Sequence, residues 1–308
     1  MSPRNLVLVV LWMTGALLSF CLMAVAFRKL AESLSIMEIL ATRNGLGLAV
    51  MVTLLILRPE LRPLVRSRRP ALTLFRNTIH LGAQYLWAMS VLLLPLATVF
   101  ALEFSAPAWA LLLAVPVLGE RLTASRVGAV VLGLIGVLVI LRPGLETFRP
   151  ETLLVLAAAV GFAVTMITTK KLTRTDSTFA IIFWMNMIQL PLTLVPSDPL
   201  FVMKLSLAQL PAFAAVGVAG LASHYCLANA FRAGDASVVV PLDFLRIPLI
   251  AVIGWWLYGE ALDALVFIGA GLIIVGVLWN LQSEARRQVI VLADPQDPAA
   301  GDPRSGPR

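Results

Sequence analysis

The sequence predicts an all-α membrane protein, and two observations support that prediction. Hydrophobic residues make up 59% of the 308 residues and charged residues only 13%, with a mean hydropathy of +0.91. A soluble domain carries about 25% charged residues, because its surface faces water. The apolar residues also gather in runs of about 20, the length that a helix needs to cross a bilayer. Lipid is therefore expected to surround most of this chain.

Ten such apolar runs follow one another, and each is predicted to form a single helix. They lie at 6–27, 36–57, 72–93, 97–118, 125–141, 151–169, 178–195, 208–231, 237–258 and 264–281. The fifth is short and contains Arg126 near its start. The sequence therefore predicts ten transmembrane helices.

The loops between the runs indicate how the helices are oriented, because cytoplasmic loops carry an excess of Lys and Arg. When the amino terminus is placed in the cytoplasm, most basic loop residues fall on the cytoplasmic side, including the arginine cluster within 58–69. Both termini are then cytoplasmic. The segment 286–308 is rich in Pro, Ala, Gly and charge, which is typical of a disordered tail.

The same composition argues against several classes of protein. The formal charge of +7 comes from basic residues between apolar runs, which does not resemble a nucleic-acid-binding surface. The two cysteines, Cys21 and Cys226, lie inside apolar runs and form neither a disulfide framework nor a metal site. The sequence has no phosphate loop for ATP and no H-E-x-x-H motif, so neither a cofactor nor an enzymatic activity is expected. An intramembrane enzyme and a scaffold or sensor stay as remote alternatives.

An internal repeat divides the chain. A shift of 140 residues aligns 81–141 with 221–281. Identical residues then include Leu81/Leu221, Tyr85/Tyr225, Phe104/Phe244, Glu120/Glu260 and Gly136/Gly276. The halves, 1–145 and 146–285, hold five runs each, and an odd number makes the second half enter the membrane from the opposite side. Inverted repeats of this kind recur in transporters that alternate access around a site near the midplane.

The residues of the repeat resemble a known family. "GERLTASRVGAVVLGLIGVLVILRPG" and the later "GEALDALVFIGAGLIIVGVLWN" are similar to the EamA-type drug/metabolite transporters, and the resemblance covers about 6–282. It implies a secondary carrier with two five-helix repeats, but it does not specify a substrate. Glu120 and Glu260 end their runs, so both are expected to face water at a turn.

Ionisable side chains within the apolar runs mark a candidate site, because a charge at membrane depth is costly and usually functional. Glu103 and Asp243 occupy the same position in the two repeats, on opposite sides of the predicted midplane. Asp243 and Arg246 are three residues apart and are neighbours on one helix face. They form either a buried ion pair or a binding element. Arg43 lies too deep in the second run to reach water easily.

Two sets of candidate residues follow. The residues predicted to contact substrate are Arg43, Asn44, Tyr85, Glu103, Asn186, Tyr225, Asn229, Asp243 and Arg246. Those predicted for proton coupling or gating are His80, Glu103, His224 and Asp243. Polar residues also join helices in membranes, so a structural role is the alternative for each asparagine and tyrosine. For His80, which shares a helix stripe with Arg76, the alternative is a hydrogen-bonded structural histidine.

The predicted function is secondary transport of a small polar metabolite, an amino acid or another carboxylated compound, by alternating access. Buried arginines favour a substrate with an anionic group. Organic anions, nucleosides and vitamins are the alternative substrates. The expected partners are the substrate, the lipid bilayer and a coupling proton or exchanged solute. We expect a monomer or homodimer in a bacterial cytoplasmic (inner) membrane.

Overall fold

The computed structural model describes residues 3–118, 124–142, 149–233, 242–243 and 245–293. Within these ranges the chain is helical and contains no strand, which confirms the all-α class. The helices are α1 Pro3–Leu30, α2 Ile36–Leu57, α3 Pro70–Leu93, α4 Leu96–Glu103, α5 Ala106–Leu118, α6 Ala124–Leu141, α7 Thr152–Leu172, α8 Thr178–Leu194, α9 Leu210–Ala233, α10 Arg246–Tyr258 and α11 Ala264–Ala293.

The outer surface of these helices is apolar. Leu57 and Trp256, for example, are 71% and 75% exposed. Four segments are long and apolar enough to cross a bilayer, namely Val7–Leu30, Ile36–Leu57, Thr152–Leu172 and Leu207–Leu227, and shorter apolar helices accompany them. Extended exposed apolar surface of this kind belongs in lipid. The fold is that of an integral membrane protein, and the arrangement as ten spans stays a prediction.

The run 97–118 forms two helices, so its prediction as a single helix is wrong. α4 ends at Glu103 and α5 begins at Ala106. Pro107 has no N–H to donate to the carbonyl of Glu103, four residues earlier, and its ring disfavours a continuous helix. α10 likewise carries a proline, Pro248, in its first turn. The predicted start of that ninth run, residue 237, lies outside the described residues.

The helices pack in pairs that join the early and late parts of the chain. α1 packs along α9, α3 along α7, α2 against α8, α4 against α10 and α6 along α11. In the last pair the backbones touch, because a Cβ atom added to Gly136 would lie 2.5 Å from the carbonyl oxygen of Gly269. Small residues permit such close contacts between membrane helices. Each of these pairs takes one helix from before residue 145 and one from after it.

The last helix is longer than the sequence predicts. α11 continues to Ala293 and so includes 286–293, which the sequence assigns to a disordered tail. This stretch reads "RQVIVLA" after Arg286 and contains neither Gly nor Pro, so its residues can continue the helix. Residues 294–308, the rest of the predicted tail, lie outside the described part.

Candidate functional site

Arg246 lies between two carboxylates at the start of α10. Its Nη2 donates to Asp243 Oδ2 at 3.1 Å, and its Nη1 lies 3.6 Å from Glu103 Oε1 on α4. The structure thus brings together three residues that the sequence singles out, one from the first half and two from the second. One guanidinium faces two acids whose positions are equivalent in the repeat.

Aromatic rings complete this group, which we call the Arg246 cluster. The guanidinium lies over the rings of Phe20, Phe104 and Phe100, at 4.3, 4.7 and 5.4 Å from their centroids. Such cation–π contacts stabilise a buried cation further. Trp87 Nε1 donates to Glu103 Oε2 at 2.8 Å and so holds this carboxylate in place. The sequence predicts neither the phenylalanine contacts nor the role of Trp87.

Arg43 on α2 has a different environment. It is only 6% exposed, and within the described part of the chain it has no carboxylate partner. Its terminal nitrogens face the amide of Gln84, which accepts from them when its oxygen is turned towards Arg43. In that orientation the Gln84 amide nitrogen donates to Gln189 Oε1 at 3.1 Å. Arg43 Nε makes no hydrogen bond to any described residue.

The polar contacts continue from Gln189 across the helix bundle. Gln189 Nε2 donates to the carbonyl of Asn77 at 3.0 Å and lies 3.0 Å from His80 Nδ1. Arg76 donates to Asn77 Oδ1 at 2.6 Å and to Thr169 Oγ1 at 3.2 Å. We call this chain of contacts the Arg43 network. The hydrogen bond of His80 favours the structural alternative for this histidine.

Two glutamines of this network are absent from the sequence-based candidates, although the sequence contains a signal for each. Gln84 follows Arg76 and His80 at four-residue spacing, so it continues the polar stripe of α3. Gln189 lies three residues after Asn186 in an apolar run. An uncharged amide deep in a membrane helix needs partners for the same reason that a charge does.

A cavity of about 920 Å³ lies between α2, α8 and α9. Arg43, Asn186, Tyr225 and Asn229, four of the predicted substrate contacts, line this α2/α8/α9 cavity. Gly220 leaves room for the arginine, since a Cβ atom there would lie 2.9 Å from Arg43 Nε. The candidates therefore divide between the cavity and the Arg246 cluster.

The remaining candidates lie elsewhere. Asn44 is fully buried beside Arg43 in the chain, and both polar atoms of its side chain lack a hydrogen bond within the described structure. Tyr85 is half-buried against the main apolar core and does not line the cavity. The side chain of His224 lies outside the described residues.

Glu260 follows a helix end, as the sequence predicts, but its side chain is only 14% exposed and has protein partners in addition to water. Its carboxylate forms an ion pair with Arg28 and accepts from the backbone N–H of Leu96 at 2.8 Å. Arg28 also donates to the carbonyls of Val91 and Leu94. The first N–H groups of a helix lack partners within it, and Glu260 satisfies one at the start of α4. Glu120, its repeat mate, lies outside the described residues.

Comparison with known proteins identifies the family. The model of the EamA-like transporter family matches residues 7–142 and matches again over 149–282. The chain belongs to the EamA-like transporter family. This confirms the resemblance to drug/metabolite transporters and supports the conclusion that the protein is not an enzyme.

Two curated relatives show how varied the named substrates are. A riboflavin transporter of Rhizobium johnstonii is 26% identical over 296 residues, covering 93% of this chain and 95% of the relative. An S-adenosylmethionine uptake transporter of Rickettsia bellii is 25% identical over 222 residues, covering 72% and 76%. The EamA-like protein is therefore a small-metabolite transporter whose substrate these similarities leave open.

A solved crystal structure has the same fold. It superposes with a TM-score of 0.59 at 18% sequence identity, covering 88% of this chain and 96% of the other. At that identity the likeness supports the fold alone.

Proposed function

We propose that this protein is a secondary transporter of a small carboxylated metabolite, an amino acid or a related acid. The observation that carries the proposal is Arg43, a buried guanidinium at the wall of a cavity with no carboxylate partner among the described residues. An isolated charge in a low-dielectric interior is unfavourable, and an arriving anion relieves that cost. A substrate carboxylate also matches the planar fork of the guanidinium.

We further propose that transport proceeds by alternating access between two inverted halves, 1–145 and 146–285. The family model matches once within each half, and the helix pairs join one half to the other. The acids at equivalent positions, Glu103 and Asp243, both contact Arg246. In an inverted repeat, equivalent positions approach one another near the midplane. The Arg246 cluster is therefore suited to couple rocking of the halves to proton binding or to solute exchange.

Ten spans with cytoplasmic termini, in a bacterial cytoplasmic membrane, complete the proposal. The basic loop residues favour this orientation, and the two relatives described above are bacterial. Vitamins are the second candidate substrates, because the cavity is large and a riboflavin transporter aligns over nearly the whole chain.

The test is flux into vesicles containing the purified protein. We expect labelled carboxylated compounds to enter or exchange, and Arg43→Gln to reduce that flux at least about tenfold, the cost of about 1.4 kcal/mol of lost binding. Arg68→Gln is the control, because it changes an exposed arginine in a loop outside the cavity, and it is expected to keep wild-type flux. Equal flux for wild type and Arg43→Gln over a panel of acids, vitamins and nucleosides would contradict the anionic assignment.

A further inference from the structure

We infer that the α2/α8/α9 cavity selects amphipathic organic anions that have a bulky apolar body and no ammonium group, and that it disfavours free amino acids. This inference narrows the carboxylated class proposed above and rests on that proposal for transport, but the binding itself can be tested separately. Three features of the cavity lead to it: its charge, its walls and its size.

The described lining of the cavity carries a positive charge and no negative charge. Arg43 supplies a cation, and among the described residues its terminal nitrogens hydrogen-bond to the neutral amide of Gln84 alone. None of the described residues that line the cavity is Asp or Glu. A free amino acid would find a charged partner for its carboxylate, but among the described lining residues only neutral acceptors for its ammonium group. Burying an ammonium group without an anionic partner is costly, so a zwitterion loses the advantage that its carboxylate gains.

The acids of the Arg246 cluster do not change this conclusion. Glu103 and Asp243 already share the guanidinium of Arg246, and neither lines the cavity. Glu38, the acid nearest to Arg43 in the sequence, pairs with Lys204 at 2.9 Å. These three acids, which are the ones discussed among the described residues, therefore have partners of their own.

The walls are apolar apart from a few hydrogen-bonding groups. They consist mainly of aliphatic, methionine and phenylalanine side chains, among them Leu46, Val50, Phe179, Ile182, Met185 and Leu221. Methionine adapts to flat ligands because its side chain is flexible and polarizable. Asn186 and Asn229 offer amides that orient a ligand without adding charge.

The size and the exposed edge of the cavity agree with a large amphipathic ligand. A volume of about 920 Å³ lies within the range of about 300–1,000 Å³ that holds drug-sized ligands. Val218 and Tyr225, which line the cavity, are 67% and 64% exposed on a surface that we expect lipid to cover. A compound with an apolar body and one anionic group also concentrates at the membrane interface, from which it reaches this edge.

Three probes with one apolar body test the inference: 3-(2-naphthyl)propionate, its neutral amide and zwitterionic 2-naphthylalanine. Their dissociation constants are measured by calorimetry on the full-length protein in lipid nanodiscs, with empty nanodiscs subtracted. We expect the acid to bind at least about tenfold more tightly than either analogue, a difference of about 1.4 kcal/mol. Equal or tighter binding of 2-naphthylalanine overturns the inference without any variant.

Two arginines, Arg43 in the cavity wall and Arg142 outside it, provide the test variant and its control. Arg43→Gln is expected to weaken binding of the acid until it equals binding of the amide. Arg43→Lys is expected to retain part of the preference for the acid over the amide. Arg142→Gln removes an arginine that is 19% exposed, pairs with Asp263 and does not line the cavity, and it is expected to stay within about threefold of wild type, or about 0.7 kcal/mol. An unchanged preference in folded Arg43→Gln contradicts the inference.

A bound lipid is the competing occupant. Native mass spectrometry of the nanodisc-extracted protein detects it, and a lipid that 3-(2-naphthyl)propionate does not displace overturns the inference. The proposed function fails in a different way. If the acid binds with the expected preference but no carboxylate crosses the vesicle membrane, transport is wrong and the binding site stands. If amino acids are carried while the acid binds no better than its amide, only the present inference fails.

Discussion

Arg43 and Arg246 are equally buried, at 6% exposure each, but their surroundings differ. Arg246 has two carboxylates and three aromatic rings around it, all supplied by the protein. Arg43 has one amide and a cavity. The free energy of burying a charge must be offset by partners. The partners of Arg246 are built into the fold, whereas we propose that the missing partner of Arg43 is the substrate.

The largest loss of folding free energy is expected when the guanidinium of Arg246, which pairs with both acids, is removed. Arg246→Gln leaves the carboxylates of Glu103 and Asp243, whose side chains are 21% and 20% exposed, without a cation, which costs about 3 kcal/mol of folding free energy, the lower end of the range for a buried pair. Denaturant unfolding in detergent micelles measures the loss. The triple variant with Glu103→Gln and Asp243→Asn added is expected to recover most of it.

Denaturant unfolding of an Arg43 variant tests whether Arg43, unlike Arg246, lacks an acidic partner. Arg43→Gln removes a buried charge that has no acid to leave behind, so its free energy of unfolding is expected to stay within about 1 kcal/mol of wild type. A loss as large as that of Arg246→Gln would mean that Arg43 has an internal anionic partner, and the distinction between the two arginines would be wrong.

The next largest effect is expected on proton-coupled transport, when Glu103, one of the two acids of the Arg246 cluster, loses its charge. Glu103 lies farther from the guanidinium than Asp243, so a proton on Glu103 removes the longer of the two ion pairs. We expect Glu103→Gln to abolish uptake driven by a pH gradient, because the amide cannot bind and release a proton. Counterflow, in which one solute molecule exchanges for another, is expected to continue at about half or more of the wild-type rate, because it needs no proton release. Asp263→Asn, at a helix end, is the control. Wild-type gradient-driven uptake by Glu103→Gln would rule this acid out as the coupling group.

Glu260 and Asp263 offer a smaller comparison at neighbouring positions. Glu260, with a side chain 14% exposed, joins Arg28 to the start of α4, whereas Asp263, 42% exposed, pairs with Arg142. Glu260→Gln is expected to cost about 2 kcal/mol and Asp263→Asn less than about 1 kcal/mol, because exposed pairs are screened by water. Thermal unfolding of both variants measures the difference. Equal effects would show that the contacts of Glu260 add nothing to an ordinary surface ion pair.

The smallest effect concerns Asp176, in the loop before α8. Burial by itself raises the pKa of this carboxyl, but hydrogen bonds from the backbone N–H of Arg68 and the hydroxyl of Ser67 outweigh it and lower the pKa. Its stabilising contribution is therefore complete above about pH 4, the ordinary aspartate pKa, and is lost as the pH falls through the lower folded value. Melting temperatures of wild type and Asp176→Asn between about pH 6 and 3 are expected to converge at the acid end. A constant gap would contradict this linkage.

The sequence predicts which charged residues share a helix face or an equivalent repeat position better than it predicts which helices they contact. The repeat register relates Glu103 to Asp243, and helical spacing places Asp243 beside Arg246, because periodicity identifies which residues share a face. Periodicity does not identify which helices touch. The contacts of Gln84 with Gln189, of Phe20 with Arg246 and of Arg28 with Glu260 all join distant helices, so they appear only in the structure.

Local rules fail for a related reason where two effects compete. Pro107 lies inside an apolar run long enough for one helix, and apolarity alone favours a single span. The missing N–H of the proline instead separates α4 from α5 immediately after Glu103. The sequence places Glu260 at the end of a run, next to water, but the first N–H group of α4 provides a partner that single-sequence patterns do not reveal.

A cryo-electron microscopy structure of the protein with 3-(2-naphthyl)propionate tests the central claim most directly. The account predicts the ligand carboxylate within about 3 Å of the Arg43 guanidinium, the distance of a charge-assisted hydrogen bond, with the naphthyl group against α2 and α9. A carboxylate bound instead at Arg246, or an acid of the chain paired with Arg43 while the ligand lies elsewhere, would contradict it.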